Sequence, residues 1–236
     1  MEGNTRVTTS GRLLAIGDVH GHSLALGRLV DVIEPTERDT VVMLGDYINR
    51  GPDSRGVIEI LLQLQKRCCL VPLLGNHEEM MLDSRHDVHA ENRWRHDGGD
   101  ATLASYGDDL SLDNIPAAHW NFLQACHPSF ETADHLFVHA NYSWHSPLDR
   151  QSSEDLRWIS IEECAPKAHI SGKTVVLGHT PGPVRDYGFC RCIDTGCGLG
   201  GVLTAMDIHT KQCWQVSEQG EPLFSPPKWS CDLGAR

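Results

Sequence analysis

The chain has 236 residues and a 40% hydrophobic content, enough for the core of one large domain or two small ones. Its 20 basic and 32 acidic residues leave a formal net charge of −12, which argues against a broad nucleic-acid interface. No apolar run approaches the roughly 20 residues that span a bilayer, so no membrane insertion is expected.

The opening residues, Met1 to Arg6, lack the basic-then-apolar pattern of a signal peptide, and the expected location is the cytoplasm. Nine cysteines, an odd number with no Cys-x-x-Cys pair, fit small core residues of a reducing compartment better than a structural zinc site. The histidines number 14, a high count for this length, and where they fall carries the argument.

Leu13 to Ile16 form a short apolar run ending in Gly17-Asp18, and the spacing predicts a helix over 23–33, with Ser23 as its cap. A second run, Thr40 to Leu44, ends in Gly45-Asp46 and leads to a helix over 54–66. A third, Leu70 to Leu74, ends in Gly75-Asn76-His77 ahead of another helix. This strand, loop, helix rhythm argues an α/β fold with parallel strands. Residues 83–128 read as mostly helical, with Trp94 and Trp120 as packing anchors. Strands resume at His135–Val138 and Lys173–Leu177, and alternation from Cys190 to Val216 suggests antiparallel strands. With no long linker, the whole chain, 1–236, reads as a single domain.

What ends each run is informative: Asp18 and His20, then Asp46, then Asn76 and His77, then His139, then His179. Ligands of open α/β sheets bind beyond the carboxyl ends of strands, so these residues converge on one edge. Carboxylates, imidazoles and an amide oxygen suit divalent ions such as Mn²⁺, Fe²⁺ or Zn²⁺. A lone Gly-Asp is usually a turn and a lone histidine usually structural. Five strand ends in one order make accident a poor account, since a match such as Gly-Asp-x-His-Gly occurs by chance in about one window in 10⁵.

Gly17-Asp18-Val19-His20-Gly21, Gly45-Asp46-Tyr47-Ile48-Asn49-Arg50-Gly51, Gly75-Asn76-His77-Glu78, His139-Ala140 and Gly178-His179-Thr180 resemble the signature set of the phosphoprotein phosphatase family, within the calcineurin-like metallophosphoesterases. Ile193-Asp194-Thr195-Gly196 is similar to the family's closing strand, so the motifs span 17–196. The resemblance is to compact bacterial and phage members, which include serine/threonine protein phosphatases and symmetrical dinucleoside tetraphosphatases. It implies two mixed β-sheets packed as a sandwich and flanked by helices. It also implies two divalent ions, Mn²⁺ foremost with Fe or Zn as alternatives. Asp18, His20 and Asp46 would hold the first ion, and Asp46, Asn76, His139 and His179 the second, with Asp46 bridging. A metal-bridging hydroxide would attack phosphorus in line, with His77 as general acid. Arg50, Asn76 and Arg157 would bind the phosphate.

The sequence departs from the pattern twice. Asn49 stands where the family has an Asp that orients and charges the histidine matching His77. An asparagine can accept a hydrogen bond from that ring but cannot stabilise an imidazolium, which predicts a weakened general acid on alkyl phosphates. After Trp158, where relatives often carry a phosphate-gripping arginine, stand Ile159 and Ser160, and Arg157 is displaced by a residue. The stretch His96 to Thr102 resembles the family's loop beside the site, its glycines allowing backbone to approach a ligand. Gly196-Cys197-Gly198-Leu199-Gly200-Gly201 fits a dinucleotide-binding pattern, but a strand-like segment rather than a helix follows.

These features favour a phosphomonoesterase acting on phosphoproteins, serine/threonine substrates first, or on small phosphoesters. The alternative is a symmetrical dinucleoside tetraphosphate hydrolase, and one from another class is a catalytically impaired metal-binding sensor. Neither nucleic acid nor membrane is an expected partner, and the sequence leaves the oligomeric state open.

Overall fold

Short strands buried on both faces need cover on both sides, and alternate residues find it here. In the computed structural model, residues 11–224, 227 and 229–231 are described; the Met1–Arg6 stretch lies outside them. Strands β1 (Leu13–Ile16), β2 (Thr40–Met43) and β3 (Cys69–Pro72) pair in parallel. Leu14, Ile16, Val41 and Met43 pack with helices α1 (Ser23–Ile33) and α2 (Ser54–Leu64). Their neighbours Leu13, Ala15, Val42 and Leu44 face the opposite way, into a core shared with Phe137, Val176 and Ile193. This period-two division is what a strand imposes on its side chains.

The second layer is built from β4 (Phe130–Glu131), β5 (His135–Phe137), β6 (Thr174–Leu177), β7 (Val184–Asp186) and β8 (Cys190–Cys192). After it the chain returns to the first sheet through β9 (Val202–Asp207), β10 (Cys213–Ser217) and β11 (Pro222–Leu223), while β12 (Trp229–Ser230) rejoins the second. Among the described residues the two sheets have six strands each, in the orders β11-β10-β9-β1-β2-β3 and β12-β7-β8-β6-β5-β4. Both are mixed: β9 runs antiparallel to β1, whereas β5, β6 and β8 are parallel. The expected sandwich of two mixed sheets flanked by helices is therefore observed. The expected antiparallel tail holds for β9 and β10, and for β8 on its β7 side, whereas on its other side β8 pairs in parallel with β6.

Helices α3 (Asn76–Ser84), α4 (Val88–Trp94), α5 (Asp100–Ala104) and α6 (Ala117–Gln124) fill the middle region, where Trp94 and Trp120 are buried; α7 (Ser153–Arg157) follows β5. The outer face of the second sheet buries Leu136, Val175, Cys190 and Cys192 against Tyr142 and Leu156. Ser23 does not cap α1: His22 precedes the helix without a side-chain cap, and Ser23 Oγ donates to Asp53 Oδ2 at 2.5 Å instead. Asp53 is thereby held where it caps α2 through Gly56 N–H. Gly196–Gly201 leads into β9, a strand. Among the described residues, no helix is long and apolar enough to cross a membrane.

Candidate metal centre

Each strand end turns sharply, and the turns carry the polar residues. Among the described residues, eight other than glycine have positive φ, and five are site residues: His20 (44°), Asp46 (52°), Asn49 (71°), Arg50 (66°) and His179 (61°). Left-handed backbone costs a histidine or arginine energy, so such a cluster persists only where the surroundings enforce it. Glycines beside them leave room for the carboxylates: a Cβ on Gly178 would collide with Asp18, and one on Gly75 with Asp46.

Asp46 lies at the centre, buried, between two groups of imidazoles. Its Oδ1 is 3.5 Å from His139 Nε2, and its Oδ2 is 3.6 Å from His20 Nε2 and 3.9 Å from His77 Nε2. His139 Nε2 is also 3.1 Å from His179 Nδ1 and 3.1 Å from Asn76 Oδ1. The backbone N–H of His179 donates to both oxygens of Asp18 at 3.1 Å, which brings the first strand end to the last.

Hydrogen bonds on the far nitrogens fix the tautomers. His139 Nδ1 donates to Leu44 O at 2.7 Å, His20 Nδ1 to Ile48 O at 3.1 Å, and His179 Nε2 to Trp158 O at 3.0 Å. A carbonyl cannot donate, so each ring must present a bare nitrogen inward. Burial is the main force keeping these rings neutral, lowering His20 to about 3 and His179 to about 4, and lowering His139 as well. His139 Nε2 and His179 Nδ1 thus face each other as two lone pairs, with Asn76 Oδ1 and Asp46 Oδ1 alongside.

Four acceptors without a donor among them call for a cation. Their 3.1–3.5 Å separations approach the edge of a tetrahedron whose ligand bonds are about 2.0–2.2 Å. Charge agrees, because Asp18, Asp46, Glu78 and Asp194 are all buried here. Burial, then repulsion from Asp194 and Asp46, raises Asp18 well above the carboxylate range, and burial raises Asp194 to about 6. The residues present therefore fit divalent ions on either side of Asp46.

The phosphate-binding candidates separate. Arg50 Nη1 donates to His20 Nε2 at 2.8 Å, a contact that an ion ligated by that nitrogen would replace. Its Nη2 lies 3.4 Å from His77 Nε2. Arg50, Asn76, His77, Met80, His96, Asp97, Gly98 and Trp158 line an open pocket of about 470 Å³. Arg157 is buried instead against Glu79, through Nε at 3.0 Å and through Nη2, while Trp158 Nε1 binds the other oxygen of Glu79 at 2.6 Å.

One expectation is corrected. Asn49 does not accept from His77; it donates. Trp94 Nε1, which has only a proton to offer, contacts Asn49 Oδ1 at 3.0 Å, and the Thr102 hydroxyl donates to the same oxygen at 2.9 Å. The amide nitrogen therefore points to His77 Nδ1 at 2.7 Å and to Asp97 O at 3.3 Å. The loop from His96 does stand beside the pocket, which His96, Asp97 and Gly98 line; Gly98, at φ 97°, packs on Arg50, and Gly99 on the Trp94 ring.

Glu78 was given no role by the sequence, yet it organises the loop that carries Asp46. Its Oε2 accepts from Asp46 N at 2.8 Å and Gly75 N at 3.0 Å, and its Oε1 from Tyr47 N at 2.8 Å and Ile48 N at 3.3 Å. Its place as the third residue of a helix opened by glycine was a usable signal. A further group, His22, Cys197 and Glu218, lies within ligating range. Its atoms are already engaged, however: the thiol contacts Val19 O, and one Glu218 oxygen accepts from Gly198 and Gly200.

Residues 11–198 match the calcineurin-like phosphoesterases. The chain belongs to that family of phosphoester hydrolases, which use divalent metal ions. Over 210 residues it is 30% identical to serine/threonine-protein phosphatase 1 of Salmonella typhimurium strain LT2, covering 82% of this chain and 90% of that protein. A stretch of 87 residues, 34% of this chain and 29% of the relative, is 39% identical to a symmetrical bis(5'-nucleosyl)-tetraphosphatase of Paracidovorax citrulli. A crystal structure of a candidate diadenosine tetraphosphatase superposes with a TM-score of 0.69 at 22% identity, covering 90% of this chain and 96% of that one. At that identity the likeness speaks for the fold alone.

Proposed function

We propose that the chain is a two-metal phosphomonoester hydrolase acting on phosphoproteins, serine/threonine phosphates first, with Mn²⁺ as the working ion. The observation that carries this reading is the convergence of bare nitrogen and oxygen atoms on both sides of Asp46. Asp18, His20 and Asp46 would hold one ion, and Asp46, Asn76, His139 and His179 the other. Bound ions would supply a nucleophile at neutral pH and neutralise phosphoryl charge. Arg50 and His77 meet in the pocket, where Arg50 Nη2 donates to His77 Nε2 at 3.4 Å. A phosphate oxygen would take that guanidinium donor in place of the ring, and Asn76 lines the same pocket. The phosphoprotein reading is supported by the 30% identity that runs through most of the chain. Its nine unpaired cysteines suit the reducing cytoplasm.

A second reading, symmetrical hydrolysis of dinucleoside tetraphosphates, is favoured by the higher local identity to the Paracidovorax relative. A metal-binding sensor without activity would have no need for the pocket donors beside the ligand set. The deciding experiment loads the protein with Mn²⁺ and assays an aryl phosphate, a phosphoserine peptide and diadenosine tetraphosphate, with Asp46→Asn as control. Hydrolysis of the first two that depends on Asp46 supports the main reading, and preference for the third supports the second. Activity equal in the control, or no turnover of any substrate, sinks both.

A further inference from the structure

We infer that Glu79 decides which class of phosphoester the site takes: by holding Arg157 behind the pocket wall, it leaves a subsite for one phosphoryl group and excludes polyphosphate chains. The inference rests on the phosphoesterase reading above and narrows its substrates to monoesters.

Arg157 stands beside the metal centre. Leu156 O accepts from Ala140 N at 2.8 Å, one residue past His139, and Trp158 O accepts from His179 Nε2 at 3.0 Å. The residue between them is bracketed by contacts to two strand ends that carry the expected ligands, and a guanidinium there is well placed to grip a substrate anion. Glu79 prevents it. Its Oε1 accepts from both Nε and Nη2 of Arg157, and its Oε2 accepts from Trp158 Nε1 at 2.6 Å. One carboxylate thus satisfies three donors, keeps Arg157 buried and fixes in place an indole that is 40% exposed.

The pocket that remains is poor in positive charge. Among the described residues that line it, Arg50 carries the one permanent cation; Met80 and Trp158 are largely apolar, and Asp97 is a carboxylate. The single N–H of the Trp158 ring is already given to Glu79. A phosphoryl group gripped by Arg50 is served. Each further phosphate of a chain brings another negative charge and meets the Met80 and Trp158 wall or the Asp97 carboxylate, and an anion stripped of water without a partner is costly. The formal net charge of −12 adds repulsion. A monoester makes no such demand, since beyond its phosphate lies a side chain or an aryl ring, which an apolar wall accepts. Glu79 is therefore a positioning residue, setting specificity through Arg157 and Trp158.

Removing the carboxylate frees the guanidinium, because a buried cation without its anion turns to water or to another anion, and the pocket is the open space that its neighbour Trp158 lines. The Mn²⁺-loaded protein is assayed on an aryl phosphate, inorganic tripolyphosphate and diadenosine tetraphosphate, beside Glu79→Ala, Glu79→Gln and Glu79→Ala combined with Arg157→Ala. The unaltered chain should favour the aryl phosphate in kcat/KM by about 10²-fold over either polyphosphate, the scale of one or two missing charged contacts. Glu79→Ala should raise kcat/KM on both polyphosphates about tenfold or more, chiefly through KM, and leave the aryl phosphate within about threefold. Glu79→Gln keeps one oxygen for three donors, so it should move the same way by less, and it serves where the alanine variant does not fold. Adding Arg157→Ala should cancel the gain, which a mere loosening of α3 would not do. Polyphosphates turned over by the unaltered chain as well as the aryl phosphate overturn the inference, as does no gain in either Glu79 variant. So does a gain confined to the dinucleotide, which puts the new contact on its bases, or one that survives Arg157→Ala. Each of these spares the phosphoesterase reading, whereas no turnover of any substrate by the unaltered chain sinks both.

Discussion

Replacing Glu78 by glutamine asks whether one buried carboxylate holds the centre together. Its two oxygens accept from four backbone N–H groups, those of Asp46, Gly75, Tyr47 and Ile48, at 2.8–3.3 Å. Either orientation of a glutamine puts its NH₂ against two of these donors. One strong bond of about 1.5–3 kcal/mol is lost, a weaker one with it, and the remaining pair become neutral. Relief of repulsion with Asp46 offsets part of this. The net loss is about 3 kcal/mol, which for a chain of this length lowers Tm by roughly 6–12 °C. Mn²⁺ affinity should fall about 10–100-fold, because the loop carrying Asp46 loosens. Thermal unfolding at pH 7 in chelator, with calorimetric titration of Mn²⁺, measures both. Burial, followed by the Asp46 charge, pushes Glu78 up to about 8, so the opposite outcome has a physical route. A carboxyl already protonated would resemble glutamine. A Tm change under about 2 °C with unaltered affinity would refute the charged reading; its O–H would then need an acceptor, whereas the contacts described above are all donors.

Loading the metal-free protein to about 100 times the dissociation constant should add about 2.7 kcal/mol per ion and raise Tm by roughly 5–11 °C each; no shift with Mn²⁺, Fe²⁺ or Zn²⁺ would sink the donor set. Arg50→Ala should raise KM for an aryl phosphate at least tenfold. Arg157→Ala should cost about 2 kcal/mol of stability by stranding Glu79, leaving KM within threefold, and a larger KM effect would put its guanidinium on substrate. Burial raises Asp39, but hydrogen bonds from the Arg12 side chain and from the Thr36 and Arg12 amides outweigh it and hold the carboxyl at about 2. That lowered value contributes about 2 kcal/mol of stability, complete above the unfolded value of 3.8 and lost as pH falls through about 2. Urea titrations of wild type and Asp39→Asn should converge over that window, and a constant gap would disprove it.

Much of the sandwich was legible because strand and helix periods are local, and three strand–loop–helix units stand in the first 84 residues. The ligand candidates were legible because each ends an apolar run, and the structure brings all six together. What escaped reading acts across long separations. Trp94 could be ranked as a packing anchor, but nothing in its neighbourhood says that its N–H orients a side chain 45 residues earlier. Asn49 was misread for the same reason: an amide can accept or donate, and the choice is made by tertiary partners. The β6–β8 pairing, parallel where alternation suggested antiparallel, depends on a crossing that the pattern of side chains does not encode. Arg157 could not be placed from its position beside Trp158, since Glu79, its partner, lies 78 residues away.

The bond from His139 to Leu44 joins the second sheet to the first, and Asp46 meets His139 and His179 on that seam. Ions seated there would act as a reversible crosslink between segments some 90 residues apart, closing a long loop of the unfolded chain as a disulfide does. Metal supply would then govern how long each molecule survives proteases as well as how fast it works. The segment between those two anchors, which holds the pocket wall, is where the first cuts in a chelated sample should fall.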